Sequence, residues 1–379
     1  MTDRTDGLDF LVDRREWAKT RFVESTIPGE LAPGQVLFRV DRFALTSNNI
    51  SYASAGDMLK YWDFFPVGSG GPASDGQGRI PAMGFGDVVA SAHDDVAVGT
   101  RCFGFFPMSR ALVIEPESVT ATTITDGVPH RAPTALVYRQ YNVAAADAMY
   151  DERYEDEIML LRGLFMTSFL AEDFLQDSDL YGAEQIIVSS ASSKTSIALG
   201  QVASARGAAH VVGLTSERNR AFVEGLGFYH QVLCYDEMDE LDASRPAVFV
   251  DMAGSTAVTR GVHERCGDGL RYSMRIGNTH WDEGGADPDL PGVAPEFFFA
   301  PGQIAKRLQD WGPAGLQERM GDALRGFLDT TPKWLKVERG YGRDEVERVY
   351  QETLAGKADP RVGHVLSLWD DAMSASGRG

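Results

Sequence analysis

The chain has 379 residues, 43% hydrophobic and 24% charged, so it is globular rather than disordered and long enough for two cores. Lys and Arg total 36 against 55 for Asp and Glu, and a formal charge of −19 opposes long-range attraction to nucleic acid or to an anionic membrane. Neither is expected as a partner. The opening "MTDRTDGLDF" has no signal-peptide or Arg-rich transit pattern, and no apolar run approaches the roughly 20 residues that cross a bilayer, so a cytoplasmic location is expected. Cys102, Cys234 and Cys266 lie far apart without a CxxC pair, and are expected to be reduced, mostly core residues.

In chain order, "PGQVLFRVDRFALTSNN" alternates at period two, and Gly- and Pro-containing turns punctuate the chain to about Pro116. An irregular, mostly β domain is expected there. "FPVGSGGPASDGQGRIP" is rich in Gly, Ser and Pro and reads as a surface connection or an active-site lid. "LVYRQYN" gathers Tyr138, Arg139, Tyr141 and Asn142, either a substrate determinant or a domain-junction network. "MYDERYEDEIMLLRGLFMTSFLAEDFL" starts acidic and turns helical, and Arg162 within its apolar run needs an acid or a phosphate as partner.

From Glu184 the pattern becomes regular. The strand "QIIVS", a helix closed by Gly207, the strand "HVVGLT", a helix ending at Gly227, the strands "HQVLCY" and "AVFVDM", the helix "STAVTRGVHERC" and the strand "LRYSMRIG" follow in turn. Unbroken apolar strands alternating with helices predict a parallel, doubly wound α/β sheet. Downstream, strand, helix and strand are expected, with a Gly cap at Gly356.

The turn "SSASSKTS" stands where a dinucleotide-binding fold has glycines. A strand leading into a helix presents unpaired amides and a positive dipole end, which receive an anion whatever the side chains. Ser189, Ser190, Ser192 and Ser193 add hydroxyl donors, and Lys194 and Thr195 open the helix. The turn is read either as a solvated N-cap or as a pyrophosphate cradle. The second strand ends "GLTSERNR", offering Thr215, Ser216, Arg218 and Arg220 where a 2′-phosphate would lie. Small hydroxyls with Arg favour NADP(H), whereas a ribose-binding acid favours NAD(H); Glu217 is the dissenting residue.

The whole chain resembles the medium-chain dehydrogenase/reductase superfamily, in particular its zinc-free quinone and enoyl reductase branch. The likeness is carried by "PGQVLFRVDRFALTSNNISYASAG", "IPAMGFGDVVASAHDDVAVGTRCFGF", "VFVDMAGSTAVTRGVHERCGDGLRYSMRIG" and "DEVERVYQETLAGKADPRVGHVLSL". It implies a Rossmann-like cofactor domain, 151–299, inserted into a GroES-like, mostly β catalytic domain formed by 1–150 and 300–379. It also implies a cleft between them that holds the nicotinamide, and a homodimer. Where zinc-dependent relatives carry Cys and His-Glu, this chain reads "LTSNNISYASAG" and "MGFGDVV", so a zinc-polarised mechanism is not expected.

Without zinc, a phenol or an amide must meet the charge that develops during hydride transfer. Tyr52, four residues before Gly56, falls where related reductases have an active-site tyrosine, with Asn48 and Asn49 just before it. Its alternative is a packed tyrosine with a satisfied hydroxyl. Tyr141 is the second phenol assigned to catalysis. Asn278 and Thr279, with His280, follow the last strand and are candidates for the nicotinamide carboxamide. The resulting expectation is a zinc-independent NADP(H)-dependent oxidoreductase reducing a carbonyl or activated C=C of a small, largely apolar substrate. The alternatives are a non-redox lyase using the same cleft and a non-catalytic nucleotide-sensing protein on a reductase fold.

Overall fold

Alternating apolar residues become long antiparallel strands in the computed structural model, which describes residues 4–67, 76–252, 254–276 and 290–370. These are β1 (Arg4–Asp13), β2 (Thr20–Ile27), β3 (Val36–Leu45), β4 (Gln77–Gly78), β5 (Pro81–Ser91), β6 (Arg101–Pro107), β7 (Ala111–Ile114), β8 (Pro116–Val119), β9 (Thr123–Asp126) and β10 (Gln140–Val143). The alternation of β3 stops at Thr46, and helix α1 (Ser47–Ser54) follows it. The cause is local. Thr46 Oγ1 accepts from the Asn48 amide at 3.3 Å and Asn49 Oδ1 accepts from the Thr46 amide at 2.7 Å, a reciprocal cap that starts a helix where period two predicts none.

Helix α2 (Glu155–Asp177) begins with three acids, as its macrodipole prefers. Glu155 receives Arg101 Nε at 2.6 Å, Arg42 Nη2 at 2.6 Å and the Tyr150 hydroxyl at 2.8 Å. Arg101 also reaches Asp41 at 2.7 Å and Asp87 at 3.0 Å, so the helix start is tied to β3, β5 and β6 by one charge network.

The parallel sheet then forms from β11 (Gln185–Val188), β12 (His210–Thr215), β13 (Gln231–Cys234), β14 (Ala247–Asp251), β15 (Leu270–Arg275) and β16 (Glu296–Phe297). Their spatial order is β13-β12-β11-β14-β15-β16, with every pairing parallel. Helices α3 (Lys194–Arg206), α4 (Arg220–Leu226) and α5 (Thr256–Cys266) connect the strands. Gly207 and Gly227 cap α3 and α4 at φ +68° and +71°, the left-handed geometry that glycine adopts without a Cβ clash. Ile187, Val212, Leu214 and Phe249 centre the core of this sheet.

Two compact units result, one of Met1–Leu160 with Leu335–Gly379 and one of Leu161–Trp334. The long helix α6 (Ala300–Leu328) falls in the second, so the chain passes between units at 334/335 rather than near 300. Its attachment explains this: Arg307 Nε bonds Asp173 Oδ2 at 2.6 Å, and Phe327 stacks on Phe165 at 5.4 Å. The chain then supplies β17 (Lys336–Tyr341), α7 (Gly342–Leu354) and β18 (Val362–Ser367) to the first unit. There β18 pairs with β3 in the order β17-β18-β3-β5-β6-β10-β9-β8, with β7 also on β3. Thus the α/β class, a doubly wound parallel sheet plus a strand-rich unit, is present. Among the described residues, no helix is long and apolar enough to cross a membrane.

Candidate functional site

In an open parallel sheet, ligands bind beyond the carboxyl ends of strands where the strand order reverses. Here that point lies between β11 and β14. Ser189 follows β11 and Asp251 ends β14; Ser189 Oγ donates to Asp251 Oδ1 at 2.8 Å, and the Met252 amide donates to Ser189 Oγ at 2.8 Å. Both residues are buried, so this pair fixes the floor of the switch point.

The serines above it do different jobs. Ser190 takes φ +50°, the left-handed bend that a glycine would make. Ser193 is the N-cap of α3: its amide donates to Ser190 O at 2.7 Å, its Oγ donates to Ser196 Oγ at 2.9 Å, and it accepts from the Ser196 amide at 3.2 Å. Both of its donors are spent, which corrects the expectation that its hydroxyl binds phosphate. Ser192 differs. Its Oγ accepts from Asn219 Nδ2 at 3.0 Å, and its own O–H has no acceptor among the described residues. Lys194 and Thr195 occupy the first turn of α3, half-buried, where helical amides have no intrahelical acceptor.

At the end of β12, Thr215 is 1% exposed and its Oγ1 has no hydrogen-bond partner among the described residues. Ser216 is half-buried and precedes the short turn Glu217–Asn219. Arg220 is engaged: it pairs with Glu237, and its Nε reaches Cys234 Sγ at 3.2 Å and Glu217 Oε2 at 3.3 Å. Glu217 and Glu237 thus share Arg220. Arg218 is exposed, with no ion-pair partner among the described residues. Gly213 lets β12 approach the turn; a Cβ there would lie 2.9 Å from Ala191 Cβ and from the Tyr229 ring.

In the strand-rich unit, α1 sets Asn48 and Tyr52 one turn apart on the same face. The Tyr52 ring lies 4.7 Å from Tyr61 and 5.9 Å from Phe105, and Tyr61 and Tyr138 bring their hydroxyls within 3.4 Å. Burial pushes the Tyr52 phenol well above its ordinary range and Tyr138 adds to the effect, while the Asn48 side chain opposes it. The phenol is a neutral donor throughout ordinary pH. Asn49 is committed elsewhere, its Nδ2 donating to Pro81 O at 2.9 Å.

Tyr141 is a correction. It is fully buried in the core between Phe38 and Phe106, and its hydroxyl accepts from Arg131 Nη1 at 2.8 Å, so it cannot touch a substrate and serves to hold the sheet. Tyr138, from the same segment, is the one that joins Tyr61 and Tyr52. Asn278 and Thr279, with His280, lie outside the described residues, as does 68–75 of the Gly/Ser/Pro-rich stretch. Asn219 and Asp251 escaped sequence reasoning. An acid closing the apolar run "AVFVD" was the available signal for Asp251; nothing marked Asn219.

A family model matches residues 43–359. The chain belongs to that family, described as "Protein of unknown function (DUF2855)". No curated protein sequence matches it. Among solved structures it is similar to CurA from Vibrio vulnificus in complex with NADPH, at TM-score 0.59 and 12% identity, over 96% of this chain and 100% of that one. It is also similar to a putative NADPH:quinone reductase from Mesorhizobium loti, at TM-score 0.58 and 13% identity, over 97% and 100%. A mitochondrial 2-enoyl thioester reductase heterodimer from Candida tropicalis matches at TM-score 0.57 and 9% identity, over 95% and 99%. The shared property is the fold, that of the medium-chain dehydrogenases/reductases, with a Rossmann sheet and a GroES-like domain.

Proposed function

We propose that this chain is an NADP(H)-dependent oxidoreductase that reduces a carbonyl or an activated carbon–carbon double bond of a small, largely apolar substrate, without catalytic zinc. One observation carries the reading. At the switch point, the turn after β11 brings the Ser192 hydroxyl to the positive end of α3, an arrangement that receives a phosphate. The residues present therefore fit a phosphorylated dinucleotide.

In this reading Ser190, Ser192, Lys194 and Thr195 hold the pyrophosphate, the first two through the turn and the last two through the helix end. Thr215, Ser216 and Arg218 hold the 2′-phosphate, while Glu217 is paired with Arg220, which it shares with Glu237. Asn278 and Thr279 take the carboxamide. NADPH, when bound, supplies the hydride. Tyr52 donates a hydrogen bond or a proton to the developing negative charge, and Asn48 orients its hydroxyl. The zinc-free part of the proposal rests on the residues at the family's ligand positions in the sequence. A homodimer completes it and rests on the family resemblance.

Fluorescence titration with NADPH and NADH, followed by a panel of ketones, quinones and enones, tests the proposal. Tighter NADPH binding with turnover of at least one acceptor class is expected. Tighter NADH binding overturns the cofactor assignment, and NADPH binding without any turnover favours a nucleotide sensor.

A further inference from the structure

Helix α1 is a weak platform for chemistry on its own. It has eight residues and carries Tyr52 in its second turn, close to its end at Ala55. So short a helix takes its order from its surroundings. The polar partner of the Tyr52 hydroxyl, the Asn48 side chain, stands on the same helix, so their bond fixes the phenol relative to α1 and moves with it. A group that donates to a reacting atom has to be held within about 0.5 Å of its productive place, which requires support anchored elsewhere in the fold.

Two rings supply that support. The Tyr61 ring lies 4.7 Å from the Tyr52 ring at an interplanar angle of 38°, and the Phe105 ring lies 5.9 Å away at 66°. Phe105 belongs to β6, and Tyr61 to the short turn Tyr61–Asp63 beyond α1. Tyr138 braces both. Its ring meets Tyr61 edge-on at 5.8 Å and 74°, and Phe105 edge-on at 5.4 Å and 71°, the arrangement in which aromatic quadrupoles attract. Its hydroxyl lies 3.4 Å from that of Tyr61. Tyr138 is in turn anchored to the core: its amide donates to Ala135 O at 2.9 Å, and its carbonyl accepts from Arg131 Nη2. Arg131 is buried and donates to Asp126 at 3.1 Å and to the Tyr141 hydroxyl at 2.8 Å. Leu136 and Val137, which precede Tyr138 in the same turn, are 51% and 55% exposed, so burial of their side chains does not place this turn and the bonds of Tyr138 do. Support thus runs from the core through Arg131 and Tyr138 to two rings, and ends at Tyr52.

We propose that Tyr138 is a positioning residue, which fixes the Tyr52 phenol for donation to the acceptor by way of the Tyr61 and Phe105 rings. The inference rests on the reductase reading in which Tyr52 is the donor. A phenyl ring at position 138 suffices for both edge contacts, whereas an aliphatic side chain has no ring edge to offer either neighbour. The residues proposed for the pyrophosphate and the 2′-phosphate belong to the other compact unit, so cofactor affinity serves as the internal control.

Steady-state reduction of menadione and of benzalacetone by NADPH, with variants of the full chain, tests the proposal. Tyr138→Leu should lower kcat about tenfold and leave KM and the NADPH dissociation constant within about twofold, while Tyr138→Phe stays within about twofold of the parent throughout. In a Tyr52→Phe background Tyr138→Leu should cost nothing further, because a positioning residue acts only through the group it positions. A second readout needs no turnover. With isotope-labelled tyrosine, the Tyr52 phenol resonance, assigned by its loss in Tyr52→Phe, should shift or broaden in Tyr138→Leu and return to the parent's position in Tyr138→Phe. Equal losses in Tyr138→Leu and Tyr138→Phe, additive losses with Tyr52→Phe, or a Tyr52 resonance unmoved by Tyr138→Leu overturns the proposal. A slow Tyr52→Phe beside a Tyr138→Leu at the parent's rate overturns the positioning role alone, whereas Tyr52→Phe at the parent's rate overturns the reading beneath it as well. If Tyr138→Leu does not fold, Phe105→Leu, which removes one of the two rings, takes its place with the same expectations. If neither acceptor is reduced, the resonance decides.

Discussion

Asn219 donates from Nδ2 to Ser192 Oγ across 3.0 Å, fastening the turn that follows β12 to the turn that follows β11. One amide thereby couples the two regions that would hold the pyrophosphate and the 2′-phosphate. Asn219→Ala should weaken NADPH by about fivefold, the worth of one hydrogen bond. Ser192→Ala, which removes the cofactor's hydroxyl donor along with that link, should weaken it further. The double variant should lose little more than Ser192→Ala alone, and fluorescence titration of the cycle reads this directly.

Arg218 is exposed, with no ion-pair partner among the described residues, so its charge is available to a phosphate. Arg218→Ala should raise the NADPH dissociation constant about tenfold or more and leave NADH within about twofold. Equal losses for both cofactors would remove Arg218 from phosphate recognition.

Tyr52 is held protonated by burial. Tyr52→Phe should lower turnover by about 10²-fold or more with NADPH affinity intact. Because the phenol is pushed well above its ordinary range, the parent's rate should not fall between neutral pH and pH 10 on its account. A basic limb in the pH–rate profile that disappears in Tyr52→Phe would contradict this.

Ser190 bears a side chain at φ +50°. Ser190→Gly should leave stability unchanged or raise it by up to about 1 kcal/mol, since relief of the left-handed strain offsets the added freedom of the unfolded chain. Ser190→Val should cost about 1–2 kcal/mol. Gly213→Ala drives a methyl against Ala191 and Tyr229 and should cost about 1–3 kcal/mol. Urea unfolding midpoints at constant slope measure all three.

Burial pushes the Glu155 carboxyl up, but Arg101 first, then Tyr150 and Arg42, outweigh it and hold the group below the usual 4.5. A carboxylate depressed in the folded state binds its proton more readily when unfolded. It therefore contributes stability above about pH 4.5 and loses it as pH falls through the folded value. Glu155→Gln should lower stability at neutral pH and flatten the acid limb of the stability profile, as thermal unfolding from pH 7 downward will report.

The parallel sheet was legible because Gln185–Val188 and Ala247–Asp251 are apolar without alternation, and because Gly207 and Gly227 stop helices by a rule of backbone sterics. Features set by partners distant in the chain were not. Nothing in "QYNV" says that Tyr141 faces Arg131 while Tyr138 faces Tyr61, since both are aromatic residues in one short segment. The serine turn was recognised as a whole, yet the division of labour between Ser192 and Ser193 depends on Asn219 and Ser196. Helix α1 was hidden by its brevity, its start resting on the Thr46–Asn49 exchange alone. The place of α6 rests on Asp173, more than a hundred residues upstream of Arg307.

The pairing of β18 with Phe43, Ala44 and Leu45 has a consequence for synthesis on the ribosome. The strand-rich unit emerges first but cannot close until Ser367 and Trp369 arrive to bond Asp41 O and Val40 O, by which time Leu161–Trp334 has been made in full. Chain order and folding order are therefore inverted: the inserted unit can mature while the earlier-born half waits with an apolar strand edge bare. A nascent chain stalled before β18 offers that edge to chaperones, and protease protection of the first 160 residues should appear only after release of the finished polypeptide.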